Sequence, residues 1–141
     1  MALIGSCACR KVRYRILGPF IEPVTYCHCW RCRKHSGSSF GTTVGLARRH
    51  LEISEGGEYL KAWESSPGIS RHFAGCCGSP LYKTDIENPE VIGFRLGTLD
   101  EDPALSVRQH YMIDARAPWV SVTDSLEKIE GGEGCFEYRQ A

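Results

Sequence analysis

The chain has 141 residues, a hydrophobic fraction of 42%, and 17 Lys plus Arg against 17 Asp plus Glu. That length is usual for a single domain and long enough to bury a core without disulfide staples. The formal net charge of zero leaves no overall field to hold a phosphate backbone or an anionic membrane surface, so neither nucleic acid nor a membrane is expected as a partner.

The opening Met1-Ala2-Leu3-Ile4-Gly5-Ser6-Cys7 lacks the basic region and apolar stretch of a signal peptide, and a cytoplasmic location is expected. Along the chain, Val12, Tyr14 and Ile16 alternate with Lys11, Arg13 and Arg15, which predicts a strand. Similar runs follow at Leu60 to Trp63, Ile69 to Phe73 and Val107 to Ile113. Breakers separate them at Gly18-Pro19, Gly56-Gly57, Pro67-Gly68, Asn88-Pro89, Asp102-Pro103 and Gly131-Gly132, and no dozen residues keep a helical period. The pattern predicts a mainly β, mostly antiparallel domain over residues 1–131, with one or two short helical turns. Residues 132–141, which hold Cys135, are expected to be a peripheral tail with a free thiol.

Eight cysteines in a reducing compartment are not expected to form disulfides, and metal binding is the common alternative. They fall in three clusters: Cys7-Ala8-Cys9, Cys27-His28-Cys29-Trp30-Arg31-Cys32, and Cys76-Cys77 before Gly78. Close pairs suit zinc, because a tight turn can aim two sulfurs at one ion, each about 2.3 Å away. The middle cluster offers three thiolates, the number of protein ligands a catalytic zinc uses while its fourth position stays open. Cys7 and Cys9 are far in sequence from Cys76 and Cys77, so a metal joining them would close a long loop in a structural role. The spacing of Cys29 and Cys32 also matches a redox Cys-x-x-Cys, but that motif belongs to a βαβ setting this chain does not show. His28 lies between two ligands, and neighbours rarely converge on one ion, so it is expected beside the site or on the surface. His35, His50, His72 and His110 have no ligand partner at a readable spacing and are taken as ordinary polar residues.

Several segments together resemble one family. They are Gly5-Ser6-Cys7-Ala8-Cys9 with Val12-Arg13-Tyr14, then Cys27-His28-Cys29-Trp30-Arg31-Cys32-Arg33-Lys34 with Gly37-Ser38 and Phe40. Phe73, Cys77-Gly78-Ser79-Pro80-Leu81-Tyr82, Gly97-Thr98-Leu99-Asp100, Pro118-Trp119 and Asp124 continue the likeness over nearly the whole chain. The sequence is similar to the glutathione-dependent formaldehyde-activating enzyme family, whose fold is shared with centromere protein V. The resemblance implies tent-like stacked antiparallel sheets with two zinc sites. It places Cys7, Cys9 and Cys77 at structural ligands and Cys27, Cys29 and Cys32 at catalytic ones. The family's third motif reads Phe-Cys-x-x-Cys-Gly, whereas here Ala74 follows Phe73 and the cysteines stand at 76 and 77. Adjacent residues on an extended strand face opposite ways, so Cys76 joins Cys77 on one metal only through a tight turn, which Gly75 and Gly78 would permit. The alternative is a site of Cys7, Cys9 and Cys77 alone, and a weakened or empty structural zinc is the expectation.

The implied reaction is a carbon-sulfur lyase or synthase type, joining glutathione or a related thiol to formaldehyde or another small carbonyl. Glutathione carries two carboxylates, and Arg31, Arg33 and Lys34, with Arg48 and Arg49, are candidate partners. No catalytic acid or base stands out. The competing reading is a noncatalytic zinc module, acting as a glutathione carrier or as a protein or nucleic-acid interaction domain.

Overall fold

The computed structural model describes residues 2–132, so the expected tail and Cys135 lie outside the described residues, apart from Gly132. The alternation read at residues 11–16 is realised: Tyr14 and Ile16 are 2% exposed, while Arg13 and Arg15 reach solvent. In chain order the strands are β1 (Leu3–Ser6), β2 (Arg13–Ile16), β3 (Phe20–Cys27), β4 (Gly41–Ala47), β5 (Leu51–Glu55), β6 (Leu60–Ser66), β7 (Ile69–Ala74), β8 (Pro80–Asp85), β9 (Val91–Arg95), β10 (Val107–Tyr111) and β11 (Glu127–Ile129). A short helix, α1, covers Trp30–Ser36, and single 3-10 turns punctuate the rest. The architecture is therefore mainly β, as expected. No helix among the described residues is long and apolar enough to cross a membrane.

The chain divides into two compact units, residues 2–22 with 44–105 and residues 23–43 with 106–132. In the first unit, β1, β2 and β5 form a three-stranded antiparallel sheet in that order. β6, β7, β8 and β9 form an antiparallel meander, the arrangement that short connections favour. Val12, Tyr14, Ile16, Leu46, Leu81, Ile92 and Phe94 are buried in this unit. Tyr14 meets Phe94 edge to face at 5.5 Å, and its hydroxyl lies 2.6 Å from Thr98 Oγ1.

In the second unit β10 runs parallel both to the end of β3, with His110 opposite Tyr26 and Tyr111 opposite Cys27, and to β11. These parallel pairings sit within a mostly antiparallel fold and have a physical reason. Parallel neighbours need connections of about a dozen residues or more, and residues 112–126 between β10 and β11 supply one.

Gly5 stands opposite Tyr14 in the β1–β2 register, and a Cβ built there would meet the Tyr14 ring and hydroxyl at 2.2 Å. Because Tyr14 is buried and tied to Thr98, it has no free path aside. Gly5→Ala is expected to lower stability by about 1–3 kcal/mol, read as a reduced urea midpoint with an unchanged slope. An unaltered midpoint would show that the ring moves freely.

Candidate metal centres

Cys27 ends β3, and the next residue is anchored where His28 N donates to Tyr111 O at 2.9 Å. Cys29 is the N-cap of α1, with extended backbone (φ −59°, ψ 150°) and a sulfur that accepts from Cys32 N at 3.2 Å. Cys32 follows in the first turn of the helix, which ends at Gly37 in the left-handed conformation (φ 69°) with its N–H on Arg33 O. A strand end, a cap and a first turn thus aim three sulfurs at one point, all within 4.8 Å of one another. Cys29 and Cys32 are 5% and 3% exposed and pack on Ala115, with Trp30 and Met112 around them. Hydrogen bonding with Cys29 and Cys32, together with burial, pushes the Cys27 thiol far up. The Cys27 contact lowers Cys29, but Cys32 and burial outweigh it and the net shift is upward. Such a cluster resists ionising unless a cation shares it.

The basic residues of the sequence reading divide here. Arg33 and Lys34, in the last turn of α1, line a cleft of about 640 Å³ with Trp30, Ser39 and Trp119, whereas Arg31 is on the helix but outside the lining. The Arg33 guanidinium lies 5.9 Å from the Trp119 ring centroid, Lys34 Nζ lies 5.1 Å from that of Trp30, and Trp119 Nε1 donates to Ser39 Oγ at 2.9 Å. Arg48 and Arg49 belong to the other unit.

The structure selects between the two readings of His28 and revises that of His110. His28 is wholly buried, not on the surface, and its Nε2 lies 2.8 Å from Nδ1 of His110, which is 3% exposed. His110 Nε2 in turn donates to Asp124 at 2.9 Å, so His110 is not an ordinary surface group. Burial foremost, then His110, Arg116 and Arg33, pushes His28 down to about 4, which keeps it neutral at pH 7. The His110 hydrogen bond holds the Asp124 carboxyl below its usual range. Nothing in the spacing signals this chain, because the two histidines are 82 positions apart.

The second cluster lies in the first unit. Cys7 and Cys9 sit on the turn between β1 and β2, closed by Arg10 N on Cys7 O and Cys7 N on Val12 O, with Arg10 left-handed (φ 65°). Cys76 and Cys77 sit on the turn after β7, where Gly78 N reaches Ala74 O at 2.7 Å with φ 86°. This turn removes the obstacle expected of adjacent cysteines, since neither stands on a strand. Sγ of Cys7, Cys9, Cys76 and Cys77 all lie within 4.8 Å of one another. Cys7–Cys9, Cys7–Cys76 and Cys9–Cys76 are 3.6, 3.8 and 3.3 Å apart. A tetrahedron with about 2.3 Å from ion to sulfur has edges of about 3.8 Å, so the spacing fits a four-sulfur site. The geometry gives no support to a cluster depleted of Cys76. Ser79 Oγ accepts from Ala8 N at 2.9 Å and lies 3.4 Å from Cys77 Sγ, tying the two turns together. The Ser79 contact holds the Cys77 thiol down to about 6, whereas desolvation and the Cys9 and Cys7 sulfurs push Cys76 up to about 12. The cysteines among the described residues are free thiols, not disulfides.

The family model described as "Glutathione-dependent formaldehyde-activating enzyme" matches residues 2–115. A Halomonas elongata protein named for the same activity is 32% identical over 130 residues, covering 86% of this chain and 82% of that protein. The crystal structure of a Rhodobacter sphaeroides protein superposes with a TM-score of 0.59 at 20% identity, over 72% of this chain and 92% of the other. At that identity the likeness concerns the fold alone.

Elemental analysis of the purified chain is expected to find zinc in both clusters, and Cys76→Ser is expected to lose about one ion per chain. A Cys76→Ser protein with the full zinc content would remove Cys76 from the ligand set.

Proposed function

We propose that this chain, which belongs to the glutathione-dependent formaldehyde-activating enzyme family, joins the thiol of glutathione or a related thiol to formaldehyde or another small carbonyl. In the reaction a carbon-sulfur bond forms, the carbonyl π bond opens and the thiol proton passes to the carbonyl oxygen, giving an S-hydroxymethyl adduct. The observation that carries this reading is the convergence of Cys27, Cys29 and Cys32, one donor short of a tetrahedral set, on the helix whose Trp30, Arg33 and Lys34 line a cleft.

Cys27, Cys29 and Cys32 would hold a zinc ion, and Cys7, Cys9, Cys76 and Cys77 a second, structural one. When bound, zinc supplies a Lewis acid that lets a coordinated thiol ionise at neutral pH. Arg33 and Lys34 offer cations to the carboxylates of glutathione, and Arg33 can make a bidentate contact. Trp30 and Trp119 offer flat apolar walls to the peptide stem, and Trp30 also shields Cys29 and Cys32 from water. Arg31, on the same helix, adds positive charge without lining the cleft. The free thiols support a reducing, cytoplasmic location.

Two substitutions separate the roles. Cys32→Ser is expected to abolish formation of the S-hydroxymethyl adduct above the spontaneous rate, followed by NMR with labelled formaldehyde. Arg33→Ala is expected to raise KM for glutathione about tenfold with kcat little changed, as for loss of one hydrogen bond to a charged group. Full activity in Cys32→Ser would sink the assignment of the centre, and an unchanged KM in Arg33→Ala would sink that of the cleft.

A further inference from the structure

His28 separates Cys27 from Cys29, so the backbone that aims those two sulfurs is also the backbone that carries its ring. Strand β10 holds this residue twice: Tyr111 O accepts from His28 N at 2.9 Å, and His110 Nδ1 lies 2.8 Å from His28 Nε2. With both rings uncharged, donor and acceptor accounting gives the direction of the chain. The Asp124 carboxylate only accepts, so His110 Nε2 carries the proton that it donates at 2.9 Å. In the neutral pair, His110 Nδ1 is then an acceptor, and His28 must donate to it from Nε2. Among the described residues His28 Nδ1 has no hydrogen-bond partner, so the ring's orientation rests on His110 and on packing against Phe40, 5.2 Å away between centroids. Tyr26 lies against both Phe40 and His110, which closes the ring cluster on its other side.

We propose that His110 and Asp124 are positioning residues for the three-cysteine centre. The half-exposed Asp124 carboxylate fixes the tautomer and angle of buried His110, His110 fixes His28, and His28 transmits that alignment to the segment presenting Cys27 and Cys29. Neither residue touches the sulfurs or lines the cleft, so the pair acts through His28 alone. The inference rests on the reading of Cys27, Cys29 and Cys32 as a metal centre, and the experiment separates the two.

The full chain is loaded with cobalt(II), whose absorption reports thiolate coordination, and the contribution of the three-cysteine centre is taken as the difference between the parent chain and Cys32→Ser. No difference in the parent would overturn the metal-centre reading itself, and the proposal with it. Given that difference, Asp124→Ala is expected to shift its bands and weaken cobalt binding there about tenfold to a hundredfold, with the four-cysteine centre unchanged as internal control. Asp124→Asn, whose amide can accept from His110 but can also flip and donate to it, is expected to restore affinity and spectrum only in part. The proposal is overturned if Asp124→Ala matches the parent or if both centres are lost together.

Discussion

Sulfur atoms held 3.3–3.8 Å apart cannot all ionise unless a cation lies among them. At an effective dielectric constant near 20, two unit charges about 4 Å apart repel by about 4 kcal/mol, and every sulfur in these clusters has more than one such neighbour. The upward shifts of Cys27 and Cys29 come chiefly from hydrogen bonding within their cluster and then burial, and that of Cys76 chiefly from desolvation, with repulsion between the sulfurs adding to each. A divalent ion reverses the sign of the interaction for each thiolate at once. The turns, the helix cap and the ring pair around the clusters make sense as devices that hold sulfurs closer than they would stay alone.

The two units meet this constraint by different local means. In the first, two turns that each use a left-handed residue, Arg10 and Gly78, bend the backbone until paired sulfurs face one way, and Ser79 fastens one turn to the other. In the second, one seven-residue helix suffices, although a helix of that length is marginal in water. Its N-cap is itself one of the converging sulfurs, and its last turn places Arg33, Lys34 and His35 against the negative end of the helix dipole. The cap of the helix is also a ligand candidate, so one side chain serves both the helix and the centre.

Much of this was legible in the sequence because it is local. The Val12, Tyr14, Ile16 alternation gave a real strand, and the close spacings of Cys7 with Cys9 and of Cys27, Cys29 and Cys32 gave real convergence. Cys76 stayed undecided in the sequence because an extended strand would turn it away from Cys77 and a tight turn would bring it round; Gly78 at φ 86° belongs to such a turn. The pairing of His28, His110 and Asp124 was illegible for a different reason: a parallel strand pair joins positions 82 residues apart, and no local period encodes that register. Trp119 belonged to the family likeness, but its place beside Arg33 depends on the same long-range arrangement.

Burial and role run opposite to the first intuition in the two clusters. Cys29 and Cys32, proposed for the reacting centre, are almost wholly buried, while Cys9 and Cys77 of the proposed structural centre are exposed. The proposed roles follow donor number instead. Four sulfurs at tetrahedral spacing complete the coordination of an ion, which leaves exposure with little chemical consequence. Three sulfurs leave it incomplete, and their burial then matters more, since a low-dielectric setting strengthens each interaction with an incoming anion and excludes competing water. The cleft edged by Trp30, Arg33 and Lys34 lies on the helix that contains Cys32 and is capped by Cys29. In the proposed reading, a basic cleft on that helix suits a thiol carried on an anionic stem, which is the chemistry glutathione offers.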